Sequence, residues 1–271
     1  MKTPGSIMLL TFFLIMYSLT SFADLLKGFD ALKRKDYHQS LIYFKPLAEK
    51  GDAIAQMNLG IMYEHGQGVD KDEKRAVEFF TLAADQGHVK SQFYLAQMYR
   101  TGDGVRKNPV LAFKYYSLAA RAGYLDAQYD LGLSYSYGVG TKVDFEKAYF
   151  WSNVSNLGGF KKSQKIIKLI DNYLDEKQKI EINNDIKTFL EKLSMKKNKL
   201  AIIQIAKWHL ELSEEIDYIN AYKWYNVAVA IGIKSAAKRR DEIIDELSAE
   251  EIFDAQKKSN NIFKKINKLG G

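Results

Sequence analysis

Four glycines in the middle of this 271-residue chain stand 36 positions apart, at Gly51, Gly87, Gly123 and Gly159. Many other positions repeat at the same step, and so many coincidences at one period indicate tandem copies of one structural unit. The further series are Ala55, Ser91, Ala127 and Ser163; Gln56, Gln92, Gln128 and Gln164; Leu59, Leu95 and Leu131; Tyr63, Tyr99 and Tyr135; Ala76, Ala112 and Ala148; and Phe79, Tyr115 and Trp151.

Each unit has the pattern of two helices joined by a glycine turn. Ala55, Leu59 and Tyr63 are spaced i, i+4, i+8, which places them on one face of a first helix. Gly66 and Gly68 follow, where positive φ is accessible, and a second helix then runs to the next glycine of the 36-residue series. One such hairpin cannot bury its apolar face alone, so the repeat predicts an all-α solenoid of stacked hairpins. A second backbone is predicted to approach closely at three small residues, Gly60, Ala96 and Gly132.

The repeated strings at 55–87, 91–123 and 127–159 resemble the Sel1-like repeat, a relative of the tetratricopeptide repeat. The resemblance implies a right-handed α-solenoid whose first helices line a concave surface. It also implies a protein or peptide partner bound on that surface. The residues that carry it are Leu59-Gly60, Tyr63, Gly66, Gly68-Val69, Ala76, Phe79-Phe80, Ala83-Ala84 and Gly87.

The chain beyond residue 159 departs from the strict repeat. A second, longer repeat has a period of 73 residues and relates Trp151 to Trp224. It predicts two further helices after each hairpin. Glu211 and Ser213 stand where that later hairpin would carry its two turn glycines. We therefore expect a single elongated domain over 24–271. Its predicted parts are a short opening hairpin at 24–51, three regular repeats at 52–159, inserted helices at 160–198, a divergent repeat at 199–233 and C-terminal capping helices at 234–271.

The N-terminus reads as a secretory signal peptide at 1–23. One early cation precedes an uncharged run, and Ser21 and Ala23 supply small residues at the −3 and −1 positions of a cleavage site. The alternative is an uncleaved anchor, although the run is shorter than the ~20 residues that a spanning helix needs. We expect an exported protein without a membrane span after cleavage, in the periplasm or secreted. The chain has no cysteine, which excludes a lipoprotein anchor and disulfides.

Catalytic and metal-binding motifs are lacking in the sequence. The four histidines have no ligand spacing, and neither a metal nor another cofactor is expected. Two S-x-x-K strings begin at Ser194 and Ser235, a number that chance explains, so a weak β-lactam or peptidoglycan hydrolase is only an alternative. The glycine turns recur in register, which favours a geometric need over phosphate binding.

A partner surface is predicted at first-helix positions that change from repeat to repeat. The side chains have mixed polarity, as adaptable protein-binding surfaces often have. The alternative is that they face water or an adjacent helix. The candidates are Asn58, Met62 and His65; Tyr94, Met98 and Thr101; and Asp130, Ser134 and Tyr137.

The net charge of +7 is concentrated late in the chain. Residues 161–271 carry 22 basic and 17 acidic side chains, and Lys196-Lys197 is one of several short basic clusters. The positive charge is compatible with an anionic envelope polymer as a partner. Nucleic acid is not expected as a partner of an exported protein.

The sequence thus predicts a non-enzymatic scaffold or adaptor of the bacterial cell envelope. Its role could lie in envelope assembly, in the regulation of peptidoglycan enzymes or in contact with a host cell. The second alternative, besides the hydrolase, is an exported effector acting outside the cell.

Overall fold

The computed structural model describes residues 20–268, so the predicted signal peptide lies outside the described residues up to position 19. These residues form fourteen α-helices in consecutive packed pairs and contain no strand, which confirms the all-α fold of stacked hairpins. The helices are α1 (20–33), α2 (Tyr37–Glu49), α3 (Ala53–His65), α4 (Glu73–Asp85), α5 (Val89–Thr101), α6 (Pro109–Arg121), α7 (Leu125–Tyr137), α8 (Phe145–Leu157), α9 (Ser163–Ile170), α10 (Glu176–Ser194), α11 (Lys199–Glu211), α12 (Tyr218–Ala230), α13 (Ser235–Glu242) and α14 (Ala249–Lys268).

The chain divides into two compact units, residues 1–115 and 116–271. In the first unit polar side chains cap helices α2 to α6. At α3 and α4, Asp52 and Asp72 accept hydrogen bonds from the backbone N–H three residues on. Such caps satisfy N–H groups that have no partner inside the helix. The predicted turn glycines have positive φ, with Gly66 at 66° and Gly68 at 73°. The hairpin boundaries therefore follow from local chemistry at each end.

Close packing inside the first hairpins depends on a small residue in the first helix. A Cβ added to Gly60 would lie 2.6 Å from Cε1 of Phe80, a ring that is fully buried on α4. Gly28 of α1 faces the ring of Phe44 in the same way, at 2.5 Å. The sequence predicts that a second backbone approaches Gly60. The structure corrects this, because the group in contact with Gly60 is the ring of Phe80.

In the second unit the 73-residue repeat recurs as structure. A short helix, a 3-10 turn and a long helix follow α8, with the turn at Asp171–Tyr173 and the long helix starting at Glu176. The same elements follow α12, with the turn at Ile244–Glu246 and the long helix starting at Ala249. A capping box begins each long helix, between Asp175 and Gln178 and between Ser248 and Glu251.

The divergent hairpin α11–α12 closes without a glycine. Six residues, 212–217, connect its helices, whereas seven connect α3 and α4, and none of the six has positive φ. Instead, the hydroxyl of Ser213 lies 2.7 and 2.6 Å from the carbonyl oxygens of His209 and Glu215, which share its single proton as acceptors. A serine side chain thus closes a shortened turn where the regular hairpins use left-handed glycines.

Within residues 20–268, no helix has both the length and the apolar character to cross a membrane.

Candidate functional site

The nine predicted partner-binding residues do not share one exposed face. Asn58, Met62, Met98 and Ser134 are buried; Met62 is 0% and Met98 2% exposed. His65, Thr101 and Tyr137 are exposed, and Tyr94 and Asp130 are partly exposed. The four buried members cannot contact a partner in this conformation, which corrects the expectation that the whole i, i+4, i+7 face is available.

Stacking between hairpins explains this burial. Met62 packs in one cluster with Phe44 and Leu47 of α2, the second helix of the preceding hairpin. Met98 packs with Phe80 and Ala84 of α4 in the same relationship. A first helix therefore packs on its own second helix and on the second helix before it. The exposed candidates, His65, Thr101 and Tyr137, are each the last residue of a first helix.

The accessible aromatic group of the first unit is held in place. The ring of Tyr94 stacks on Phe80, with centroids 5.0 Å apart and planes 16° apart. The ammonium of Lys90 lies 5.6 Å from the centroid of the Tyr94 ring. A partner that contacts Tyr94 meets a side chain whose rotamer is already fixed, so little rotamer entropy is lost on binding.

A second candidate site lies inside unit 2. It is a cleft of about 410 Å³, which we call the basic cleft. Its volume falls in the lower part of the range for ligand sites. Its walls combine aromatic rings with three cations, and no carboxylate is among them. The lining residues are Arg121, Trp151, Phe189, Lys192, Leu193 and Lys196.

Helix α10 provides most of the basic cleft because of its side-chain spacing. Phe189, Lys192, Leu193 and Lys196 are spaced i, i+3, i+4, i+7, so they project from one face of α10 and its C-terminal extension. The rings of Phe189 and Trp151 meet edge to face, with centroids 5.4 Å apart. The aromatic wall is therefore shared by α8 and α10.

The connection between α10 and α11 holds the basic cleft together. The side-chain amide of Asn198 donates to the carbonyl of Ala122, next to Arg121, at 3.2 Å. Its Oδ1 accepts from the N–H of Ala201 and so caps α11. A Cβ on Gly123 would lie 2.4 Å from Nδ2 of Asn198, so only glycine allows this contact.

None of the three cations of the basic cleft, Arg121, Lys192 or Lys196, forms an ion pair with a carboxylate among residues 20–268. By contrast, Lys179 on the same helix binds both Asp171 and Glu176, and its pKa is raised by these hydrogen bonds. The basic cleft consequently carries uncompensated positive charge beside an apolar wall.

The serines of the two S-x-x-K strings differ in accessibility. Ser194 is fully buried, and its hydroxyl donates to the carbonyl of Glu191 at 2.8 Å, so a β-lactam cannot reach it in this conformation. Ser235 is exposed on α13, and the ammonium of Lys238 lies 3.9 Å from Glu242. Within the described part of the chain, no His, Cys, Asp and Glu side chains cluster as a metal site.

The turn glycines Gly102 and Gly104 border a cavity of about 610 Å³ in unit 1. Both cations and carboxylates line it, namely Lys71, Lys74 and Arg106 with Asp72 and Glu73. A Cβ on Gly104 would lie 2.2 Å from the carbonyl oxygen of Glu73. Gly104 is thus in direct contact with the preceding hairpin, and this contact accounts for its place in the repeat. The geometric interpretation of the turn is supported by this packing.

Repeated helical hairpins with accessible, varying first-helix ends define this chain as a helical repeat protein of the protein-interaction type. The Sel1 repeat model matches residues 25–52, 53–88, 89–124 and 125–153. A Sel1 repeat protein of known structure from Oxalobacter formigenes is 34% identical, over 48% of this chain and 98% of that chain, with a TM-score of 0.45. The chain therefore belongs to the Sel1 repeat family, whose repeats generally mediate protein interactions.

A second solved structure is also similar to this chain. It is c5321, a protective antigen of uropathogenic Escherichia coli strains that displays an SLR fold. It is 20% identical over 93% of this chain, with a TM-score of 0.47, and the match spans 64% of the length of c5321. No curated protein matches the chain at a significant level.

Proposed function

We propose that this chain is a non-enzymatic scaffold that binds a protein partner through the accessible ends of its first helices. The observation that supports the proposal is the run of four consecutive Sel1 repeats. Within that frame His65, Thr101 and Tyr137 occupy one repeat position, and all three are exposed. Packing demands no particular residue there, so this position is free to be specific for a partner.

The two units offer different chemistry at these ends. Unit 1 presents a histidine, a threonine and the fixed ring of Tyr94. Unit 2 presents Tyr137, with 59% of its surface exposed, and Asp130 about two turns earlier on α7. Tyrosine gives a large contact area for few rotatable bonds, which is why it is frequent in binding surfaces.

We also propose that the protein acts in the bacterial envelope after export. Cleavage after Ala23 would remove the first four described residues of α1. The buried residues of that helix, Leu25, Gly28 and Ala31, all follow the cleavage point. Export is thus compatible with an intact first hairpin. Sequencing the N-terminus of the native protein tests this point, and a mature chain that still begins at Met1 would contradict it.

Affinity capture from envelope extract tests the binding function. The tagged chain from Asp24 onward is compared with the variant carrying His65→Ala, Tyr94→Ala and Thr101→Ala. Leu82→Ala is the matched control, since Leu82 is an exposed side chain on the second helix α4. We expect a protein that the native chain and the control retain and the triple variant loses, at unchanged helicity by circular dichroism. Equal capture by all three chains would contradict the proposal.

A further inference from the structure

We infer that the basic cleft of unit 2 binds an acidic peptide segment, with one apolar side chain seated on the aromatic wall and carboxylates on the three cations. This inference rests on the proposed protein-binding function, but it uses other residues than the first-helix ends. It assigns a partner chemistry to a surface that the repeat pattern leaves unexplained.

Charge complementarity is the first argument. The walls of the basic cleft contribute three cations and no carboxylate. Arg121 is the last residue of α6 and Lys192 lies in the last turn of α10. A helix C-terminus carries about half of a unit negative charge, which stabilises these cations. This partial charge offsets only part of their positive charge. The net potential in the cleft is positive, and an anionic group is its electrostatic complement.

The aromatic wall is the second argument. Trp151 and Phe189 meet edge to face and leave an apolar surface directly beside the cations. An inorganic anion or a bare polyanion has no group to place on that surface. A peptide that carries an aromatic or aliphatic side chain next to Asp or Glu satisfies both parts of the site. Arginine among the cations adds bidentate geometry for a carboxylate.

The origin of the cleft is the third argument. Three of its cationic and aromatic groups, Phe189, Lys192 and Lys196, come from α10 and its end, outside the residues that match the Sel1 repeat. The equivalent helix α14, 73 residues later, carries Ile262 and Lys265 at the positions of Phe189 and Lys192. Both copies keep the lysine, whereas the aromatic residue of this pair is specific to α10. The chain therefore offers a matched control within its own sequence.

The test is direct binding of a fluorescent acidic pentapeptide, with a central tryptophan flanked by glutamate and aspartate, to the chain from Asp24 onward. We expect saturable binding that weakens as NaCl rises from about 50 to about 300 mM. Arg121→Glu with Lys192→Glu should weaken binding about tenfold or more. Lys257→Glu with Lys265→Glu makes the same change of charge at exposed positions of α14 and should leave binding unchanged.

A second pair of variants tests the aromatic wall. Phe189→Ala should weaken binding of this peptide. It should have little effect on a peptide in which alanine replaces the tryptophan, because that peptide is already the weaker ligand. Circular dichroism establishes that each variant keeps its helicity.

Several results would overturn the inference. Equal losses in the cleft variant and the α14 variant would mean binding to net charge alone. Equal binding of the amidated peptide would exclude the carboxylates as the recognised groups. Stronger cleft-dependent binding of a single-stranded oligonucleotide or of phosphatidylglycerol vesicles would assign the cleft to another class of partner. Peptide binding and envelope capture are separate measurements on separate variants, so the failure of one is distinguishable from the failure of the other.

Discussion

The imidazole Nδ1 of His209 lies 3.0 Å from Oδ2 of Asp217, with the His209 side chain only 2% exposed. His209 stands where the regular hairpins carry Tyr63, since its carbonyl accepts from the N–H of Asp217 as that of Tyr63 does from Asp72. Lys187 and Lys223 also face the ring, and Trp208 packs against it edge to face. Burial lowers the pKa of His209 from 6.5 to about 4, and the two lysines act in the same direction.

This pair predicts a loss of stability in mild acid. Below pH 6.5 the unfolded chain takes up a proton on His209 that the folded chain accepts only near pH 4. The stabilisation is therefore complete above pH 6.5 and is lost as the pH falls toward 4, by at most about 3 kcal/mol. Thermal unfolding followed by circular dichroism between these pH values measures it. His209→Leu should flatten the profile, whereas His38→Gln, at an exposed position, should not. An unchanged slope in His209→Leu would contradict the assignment.

Asp217 contributes in a lower pH range. Burial acts to raise its pKa, but hydrogen bonds from the backbone and side chain of Asn220 outweigh burial, and the pKa lies below 3.8. Its stabilisation is present above pH 3.8 and is lost as the pH falls below that value. Asp217→Asn should therefore change the unfolding profile below about pH 4. Because the carboxylate of Asp217 acts to raise the pKa of His209, the variant should also move the histidine step to lower pH.

A buried glutamine links the divergent hairpin to the regular repeats. Nε2 of Gln204 donates to the carbonyl of Val154 at 2.7 Å and to Oε1 of Gln128 at 3.3 Å. Gln204→Leu would leave both acceptors buried without that donor, at a cost of about 1–3 kcal/mol. Gln164→Leu is the control, because Gln164 belongs to the 36-residue series but is exposed. Urea unfolding of both variants measures the difference, and equal midpoints would refute the role of Gln204.

Gly60 predicts an inversion of the usual helix preference. Alanine in a helix is ordinarily about 1 kcal/mol more favourable than glycine. Here the added methyl would meet the buried ring of Phe80, so Gly60→Ala should destabilise the chain by about 1–3 kcal/mol. Phe80→Leu in the Gly60→Ala background should cost less than Phe80→Leu alone, which a double-mutant cycle measures. Strict additivity would mean that the two groups do not clash.

The two glycines of one turn should respond differently to substitution. A Cβ on Gly102 would lie 3.4 Å from Lys107, an ordinary contact, so asparagine, which tolerates positive φ, should be accepted there. A Cβ on Gly104 would lie 2.2 Å from the carbonyl oxygen of Glu73. Gly104→Asn should therefore lower the melting temperature by several degrees more than Gly102→Asn. Similar melting temperatures for the two variants would show that the turn conformation, and not the contact between hairpins, requires Gly104.

Much of the fold follows from the 36-residue period, because each repeated residue forms the same local contact or backbone conformation in each regular repeat. The turn glycines take positive φ, and Gln56 and Gln92 donate to the carbonyls of Ala48 and Ala84 at the end of the preceding hairpin. Gln128 makes the equivalent bond to Ala120, and the series fails only at the following step, Gln164. Gln164 lies exposed on the short helix α9, and the buried glutamine that follows Gln128 is Gln204 of α11.

The candidate sites were harder to predict, because side chains at variable positions are not all accessible. Helical spacing alone cannot tell that Met62 faces the preceding hairpin, since that contact depends on how hairpins stack. The basic cleft brings Arg121 to Lys192 across about 70 residues of sequence, a distance that no local pattern spans. The spacing of Phe189, Lys192 and Lys196 predicts that they share one face of a helix. It does not predict which residues from other helices lie against that face.

Site-specific photo-crosslinking in the native cell tests most directly whether the chain binds a protein partner through its first helices. A photoreactive amino acid replaces Tyr94 on α5 in one strain and the exposed Leu82 on α4 in another. We expect irradiation to join the first chain to one discrete protein partner and to leave the second without that adduct. The same adducts from both positions, or none from position 94 and from the exposed positions 65 and 101, would contradict a scaffold that binds through its first helices.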